Sequence, residues 1–578
     1  MKSKSSWVVP ILVFFTVFVV YVRCPCIATH DSRWVIPTAI SIVKEGNTDL
    51  DEYKAVMLPN DYAISKIGGH LYNLFPIGTS IISVPFVFAI DQTGSRLGTF
   101  DLGEYVRRTD PQGIELFIAS FVTALTAVFT YFMARLFLGV RRSLLLVSIF
   151  AFCTSAWSVA SRALWQHGPS MLMLTIALYL ILLARDRPHL IQFAGVPLAF
   201  SYVVRPTNAI SCLLLTVFVL FQYRNYFVRY LLWAMTVGIP FLLYNFAVYH
   251  SMLAPYYQVH RLGTNPHLWE ALAGNLLSPA RGLFVFTPIL LFSVVEIAWR
   301  ISHQQLHKLD WILVSAIFLH WVSISSYKHW WAGYSFGPRL FSDIIPYFMY
   351  FLILAIARVF HLTLGRKIAV ASVFLCLTVA SFAIHFRGAT DLDTFAWNAT
   401  PIDVDIIPAR VWDWYDIQFL RSTKALDPQG VRLPKWQRWF VPNKSGVVFG
   451  NTFQLLGYRL SVHPYGSSVA ITLYWQALQQ PDFDYSVFVH LIDEADRLVA
   501  QKDQAPGAVV GYPPTAWQVG DIVEDDHVIE FPAGMGSGTY HYHFRVGVYN
   551  WATGERLQAR LRDNLKGDSV VLDCTLSH

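Results

Sequence analysis

Apolar runs of about 15–23 residues, close to the length that crosses a bilayer, recur along the first two thirds of this chain, and Lys and Arg collect in the short loops between them. No water-soluble core accommodates that pattern. In lipid, a spanning segment must satisfy its own backbone hydrogen bonds, so the runs are expected to be helices. Composition agrees, because 54% of the 578 residues are hydrophobic, only 14% are charged, and the mean hydropathy is +0.42. The net charge of +6 comes from Lys and Arg beside apolar runs, which is a topology signal and not a nucleic-acid-binding arm. The six cysteines are mostly isolated and imply neither a disulfide framework nor a zinc site. No G-x-x-x-x-G-K-[ST] loop is present, which argues against an ATP-driven transporter.

The fold class expected is an α-helical polytopic membrane protein with about eleven spans and a C-terminal all-β, sandwich-like domain. The runs are 7–22, 113–134, 143–160, 169–184, 190–204, 208–222, 227–249, 283–298, 311–326, 340–357 and 368–385. The first is read as a helix and not a signal peptide, since no small-x-small cleavage pattern follows it. Residues 74–90 decide the parity, because that run is apolar yet carries Pro76, Gly78 and Pro85. If it does not cross, the loops holding Arg135/Arg141/Arg142, Arg185/Arg187, Arg224/Arg229, Arg300/Lys308 and Arg358/Arg366/Lys367 share one side with Lys2 and Lys4. Positive-inside counting then makes that side cytoplasmic. Residues 74–90 become an interfacial helix, and the chain a multi-pass plasma (inner) membrane protein with its N-terminus inside and its C-terminal domain outside.

The outer face collects a particular set of residues. Cations Arg162, Arg205, Arg281, Lys328 and Arg339 all lie there, against the positive-inside bias, and a lipid-linked phosphate would supply the anion they call for. Singly, an Arg or Trp at a helix end is an interfacial anchor and a lone His a packing residue; the cluster carries the inference. Asp31 stands just past the first helix beside Arg33, ahead of the amphipathic stretch 35–43 and the acids Asp49, Asp51 and Glu52. A carboxylate so placed suits a general base that removes a proton from an acceptor hydroxyl.

One span, a long outer loop with an acid near its start and interfacial helices, then a helix bundle, resembles the C-type glycosyltransferase superfamily. The protein O-mannosyltransferases and lipid A aminoarabinose transferases belong to it. The strings Asp31-Ser32-Arg33, Gly69-His70-Leu71-Tyr72, Phe75-Pro76-Ile77-Gly78-Thr79-Ser80, Ser278-Pro279-Ala280-Arg281-Gly282 and Gly337-Pro338-Arg339 are similar to bacterial members. The resemblance covers residues 1–386. It implies transfer of a sugar from a polyprenyl-phosphate donor to a glycan, lipid or protein acceptor at the bilayer surface, with no nucleic acid involved. Asp31 matches the family's catalytic base or metal neighbour. Arg33, His70, Tyr72, Arg162, Gln166, His167, Arg205, Arg281, Lys328, His329 and Arg339 are the residues set to bind substrate. Ser32 follows Asp31 where relatives carry an acidic pair, and Gln166-His167 stands where some carry a second Asp. A divalent cation, Mg or Mn, is therefore left open beside metal-free inverting transfer, which fits slightly better.

Beyond residue 386 the runs shorten and charge rises. Residues 387–455 read as an irregular linker and 456–578 as the β-domain, with strands at 469–478, 485–492, 497–501, 522–531 and 538–549. That domain resembles one often fused to such transferases, for carbohydrate binding or for covering the outer mouth. Two other functions compete: a transporter or flippase of a lipid-linked saccharide, which should carry polar residues deep in its spans where these midspans read as largely apolar, and a surface-polysaccharide polymerase or ligase. The topology is testable with an impermeant maleimide on intact cells, which should label both Asp31→Cys and Gly536→Cys. Labelling of one and not the other would make residues 74–90 a crossing.

Overall fold

The computed structural model describes residues 7–27, 29–58, 61–97, 101–108, 111–258, 263, 265–359, 363–399, 403–405, 408–414, 416–421, 432–433, 441–462, 468–506, 512–530, 539–561 and 564–577. Lys2 and Lys4 of the charge argument lie outside them. The chain forms two compact units, one of residues 1–277 and 281–392, the other of 278–280 and 393–578.

The first unit is helical. Among the described residues, five helices are long and apolar enough to cross a membrane: Gln112–Arg135, Arg224–Tyr249, Lys308–Ser325, Arg339–Val359 and Leu364–Thr390. Val8–Val22, His167–Leu183, Pro188–Val204 and Pro206–Gln222 are apolar but shorter. Two of the expected runs are broken. Residues 143–160 divide into the helix Val140–Phe152 and a π-helical turn Ala156–Ala160, and 283–298 is interrupted at Pro288, which cannot continue the preceding turn. The stretch expected to be amphipathic forms the helix Val35–Lys44, but Val35 through Ser41 are all buried. It packs into an apolar cluster with Trp34, Leu50, Tyr53, Val87, Ile118 and Leu164, so both of its faces are covered. Residues 74–90 contribute to the helix Gly78–Leu97, with Pro85 inside it. At its start a Cβ on Gly78 would overlap the backbone of Val203 and Val204, so only glycine permits this approach.

Helix ends of this unit segregate into two groups, each closed by its own charges. At one end Glu296, fully buried, accepts from Arg300 Nε at 2.8 Å and Arg358 Nε at 2.6 Å. Beside it Asp310 accepts from the Tyr350 hydroxyl at 2.7 Å, and Arg185 reaches the same hydroxyl at 3.3 Å. These are loops assigned to a common side by charge counting. The other end holds Asp31, Gln166, His167, Arg205 and Arg339.

In the second unit the seven-stranded sheet runs Asn564–Gly567, Ala559–Leu561, Lys444–Phe449, Phe453–Val462, Ser468–Ala477, Ile522–Glu530, Arg432–Leu433. The four-stranded sheet runs Val570–Ser577, Thr539–Tyr549, Ser486–Ile492, Leu498–Gln504. Each of the five expected strands is present, and Lys444–Phe449 adds a strand inside the stretch read as linker. Side chains from both sheets share one apolar cluster, in which Trp475 and Trp517 are buried. The segment 408–421 is pinned to the Ile522–Glu530 strand by charge: Arg410 and Arg421 both pair with Asp416, and Arg459 pairs with Asp413 and Glu524.

Burial, reinforced by the Asp526 carboxylate and opposed by Arg459, pushes Glu524 up to about 7 from an ordinary value of 4.5. The folded state therefore holds a proton that the unfolded chain gives up, so this group's contribution to stability is present at low pH and lost as pH rises through that window. Asp416 works oppositely: burial opposes it, but Arg421 and Arg410 hold it below its ordinary 3.8, so its contribution disappears only on strong acidification. The melting temperature of the second unit is expected to fall between about pH 5 and about pH 7, and Glu524→Gln to shallow that fall. Identical slopes for the two proteins would remove Glu524 from this role.

Candidate active site

Asp31 sits in the turn joining Val8–Val22 to Val35–Lys44. Its backbone N–H donates to Thr29 Oγ1 at 3.0 Å, and the same hydroxyl accepts from Trp165 Nε1 at 2.9 Å, so the turn is fixed to the strip ahead of the His167–Leu183 helix. The carboxylate takes the Tyr62 hydroxyl on Oδ1 at 2.8 Å and Arg339 on Oδ2 at 3.0 Å. Burial and the Asp31 charge push the Tyr62 phenol well up, which keeps it protonated and donating.

Arg339 opens the segment Arg339–Ile344, directly after Gly337 and Pro338. Gly337 has φ of 59° and lies against the Phe286 ring, where a Cβ would collide. The preceding loop is gripped by two guanidinium groups along three successive carbonyls. Arg281 donates to Trp331 at 2.6 Å and Gly333 at 2.9 Å, and Arg339 to Ala332 at 2.8 Å. Ala332 is left-handed at φ 62°, a cost of about 1–3 kcal/mol that the surrounding bonds must hold in place.

Three consecutive residues brace the rest of the cluster. The Trp165 ring lies 4.9 Å from the Arg339 guanidinium, Gln166 Oε1 accepts from Arg205 at 3.3 Å, and His167 Nδ1 meets Asp343 Oδ1 at 3.1 Å. Arg205 Nε lies 2.5 Å from Asp343 Oδ2, a charge contact off the hydrogen-bonding axis. Asp343 is wholly buried, so this pair is sealed, whereas the Asp31 side chain is 28% exposed.

The expected catalytic residue Asp31 and, of the expected substrate-binding residues, Gln166, His167, Arg205 and Arg339 are brought together. Arg162 is fully buried, and it donates to the Pro25 carbonyl at 2.9 Å and to that of Gly388, so it clamps the chain and offers no surface to a ligand. Arg281 is likewise buried and holds the Trp331–Gly333 backbone. Both guanidinium groups are buried against backbone carbonyls, where the expectation was a phosphate, and Arg162 Nη2 is buried without a hydrogen-bond partner among the described residues. Lys328 and His329 are exposed at the start of the same loop, and Arg33 lies over the Trp34 ring at 5.3 Å.

His70 and Tyr72 belong to a separate feature, a hairpin of Ile64–Ile67 and His70–Asn73. Gly68 and Gly69 turn it with φ of 59° and 95°, the geometry of a two-residue hairpin. Asp51 accepts the Leu71 N–H at 2.9 Å and meets His70 Nδ1 at 2.6 Å. Ligand atoms of Asp49, Asp51 and His70 lie within 4.8 Å of one another. Two carboxylates and an imidazole suit Mn better than Mg, while Asp31 faces a guanidinium, a poor neighbour for any cation.

Sequence reading did not select Asp343, Tyr62, Thr29 or Trp165. Asp343 was signalled as an acid inside an apolar run, a functional or structural mark in any membrane segment. No family model and no curated protein matches the chain.

Magnitudes separate the two ion pairs. Asp343→Asn strands the Arg205 charge in a buried site and should cost about 3–5 kcal/mol; Asp31→Asn, at a partly exposed pair, should cost less than about 1 kcal/mol. Thermal melting in detergent checks both, and equal losses would show that the sealed and open pairs do not differ.

Proposed function

We propose that the chain is a glycosyltransferase of the C-type superfamily, moving a sugar from a polyprenyl-phosphate donor to an acceptor on the extracytoplasmic face. On this reading about eleven segments cross the bilayer, the N-terminus is cytoplasmic, and the C-terminal unit is an extracytoplasmic sandwich. The observation that carries it is the Asp31–Arg339 pair: a base and a cation meet on a partly open surface, at the end of a lipid-embedded bundle where several polar loop strings converge.

The acceptor oxygen attacks the anomeric carbon, its proton passes to an Asp31 carboxylate oxygen, and the bond from that carbon to the phosphate oxygen breaks. Its electron pair leaves with the polyprenyl phosphate. Arg339 meets the charge on the departing phosphate, and Trp165 together with the Ala332 carbonyl keeps the guanidinium in place for it. Tyr62 orients Asp31. Arg205, neutralised by Asp343, fixes the neighbouring helix end and is not asked to bind the donor. The reaction drawn here needs no metal, and Asp49, Asp51 and His70 remain the residues that would hold one.

A flippase of the same lipid-linked saccharide draws support from the buried Asp343, Arg205 and His167, since charges inside a bundle also mark transport paths. Asp31→Asn discriminates between the two. The amide keeps the size of the carboxylate but takes no proton near neutral pH, so transfer should fall about 10²–10⁴-fold while donor binding survives. Transfer at near wild-type rate would exclude Asp31 as base. Movement of donor between leaflets without transfer to any acceptor would replace the enzyme with the transporter.

A further inference from the structure

In the resting site the proposed base is not free. Both Asp31 carboxylate oxygens are engaged, Oδ1 by Tyr62 and Oδ2 by Arg339, so an acceptor hydroxyl must share an oxygen with one of these partners or displace it. Arg339 does not depend on Asp31 for its position. It is anchored on the Ala332 carbonyl and over the Trp165 ring, and its Nε is buried without a hydrogen-bond partner among the described residues. The neighbouring guanidinium groups are committed elsewhere: Arg205 to buried Asp343, Arg281 and Arg162 to backbone carbonyls. Among the described residues, an anion arriving at this end of the bundle finds in Arg339 a guanidinium whose partner is partly exposed and exchangeable. That partner is the catalytic carboxylate.

We propose that Asp31 and the donor's phosphate are alternative partners of Arg339, so that seating the phosphate releases Asp31 toward the acceptor hydroxyl. This rests on reading Asp31 and Arg339 as the reaction centre, and it adds an order to the chemistry: the base is unmasked only when a donor is present. Two groups competing for one cation are linked reciprocally. Whatever phosphate does to the Asp31 contact, removal of the Asp31 charge must do to phosphate affinity.

The full-length protein in detergent, with citronellyl phosphate as probe, tests both directions. Calorimetry should find that Asp31→Asn binds the prenyl phosphate about tenfold more tightly than wild type, the size of one charge-assisted hydrogen bond. Carbodiimide-driven amine labelling, read at Asp31 by peptide mass spectrometry, should rise about tenfold when wild type is saturated with the prenyl phosphate, and stay flat with the matching alcohol. In Arg339→Gln, labelling should be high from the outset and unresponsive. Melting curves establish that each variant is folded. Labelling that stays level or drops while the phosphate binds overturns the exchange, as does an Asp31→Asn affinity no tighter than wild type, or no binding of the prenyl phosphate at all. Inorganic phosphate at equal concentration forms the second arm, and a response to it alone removes the assignment to a lipid-linked donor. A labelling response without sugar transfer would sink the transferase reading and leave the exchange standing; transfer without a response would sink the exchange alone.

Discussion

Two arginines and two aspartates, paired at one end of a lipid-soluble bundle, set the geometry on which the rest of the first unit depends. A charge in such a setting must be neutralised or kept wet, and the chain uses both solutions side by side. Arg205 and Asp343 are sealed together, which makes them structural. Arg339 and Asp31 remain at an accessible edge, which makes them available. Trp165, Gln166 and His167 touch a member of each pair from three successive positions, so a single turn of chain keeps the open pair in register with the closed one.

At the opposite end of the bundle the interior acids follow the first solution. Glu296 and Asp310 are both buried, and Arg300, Arg358 and Arg185 close over them or over the tyrosine they hold. Arg358 also lies 4.3 Å from the Trp299 ring. Loop arginines that topology counting treats as free signals are thus partly interior fastenings. One residue serves both purposes, because a long side chain can root its stem in the bundle while its charge settles orientation during insertion.

Legibility from sequence tracked the range of the interaction responsible. The β-domain strands and most of the apolar runs are set by local periodicity and were readable to within a few residues, whereas the breaks inside 143–160 and 283–298 were not. Asp31 and Arg339 could each be singled out, but their contact spans 308 positions and leaves no local trace. The hairpin at Gly68-Gly69 had a local signal, a paired glycine between short alternating runs, that was passed over inside a motif string. The burial of Arg162 and Arg281 was not legible, because composition counts a guanidinium as a surface charge. Here carbonyls left exposed by irregular turns absorb it, a demand visible only once the turns are built. The burial of Val35–Lys44 has a similar origin: its polar positions, Thr38 and Ser41, return their hydroxyls to the helix's own carbonyls, which lets an apparently amphipathic segment sink.

Arg162 joins parts of the chain that are made far apart in time. Its guanidinium bonds the Pro25 carbonyl, 137 positions earlier, and the Gly388 carbonyl, 226 positions later. While the chain is being synthesised the first of these partners is already in the membrane and the second does not yet exist. The cation must wait, part-satisfied, through the making of every intervening helix, and the bundle cannot close around it until Leu364–Thr390 arrives. The contacts of Arg162 are therefore complete only once Leu364–Thr390 has been made, and a chain cut short before Gly388 would leave a charge in the interior without one of these two anchors.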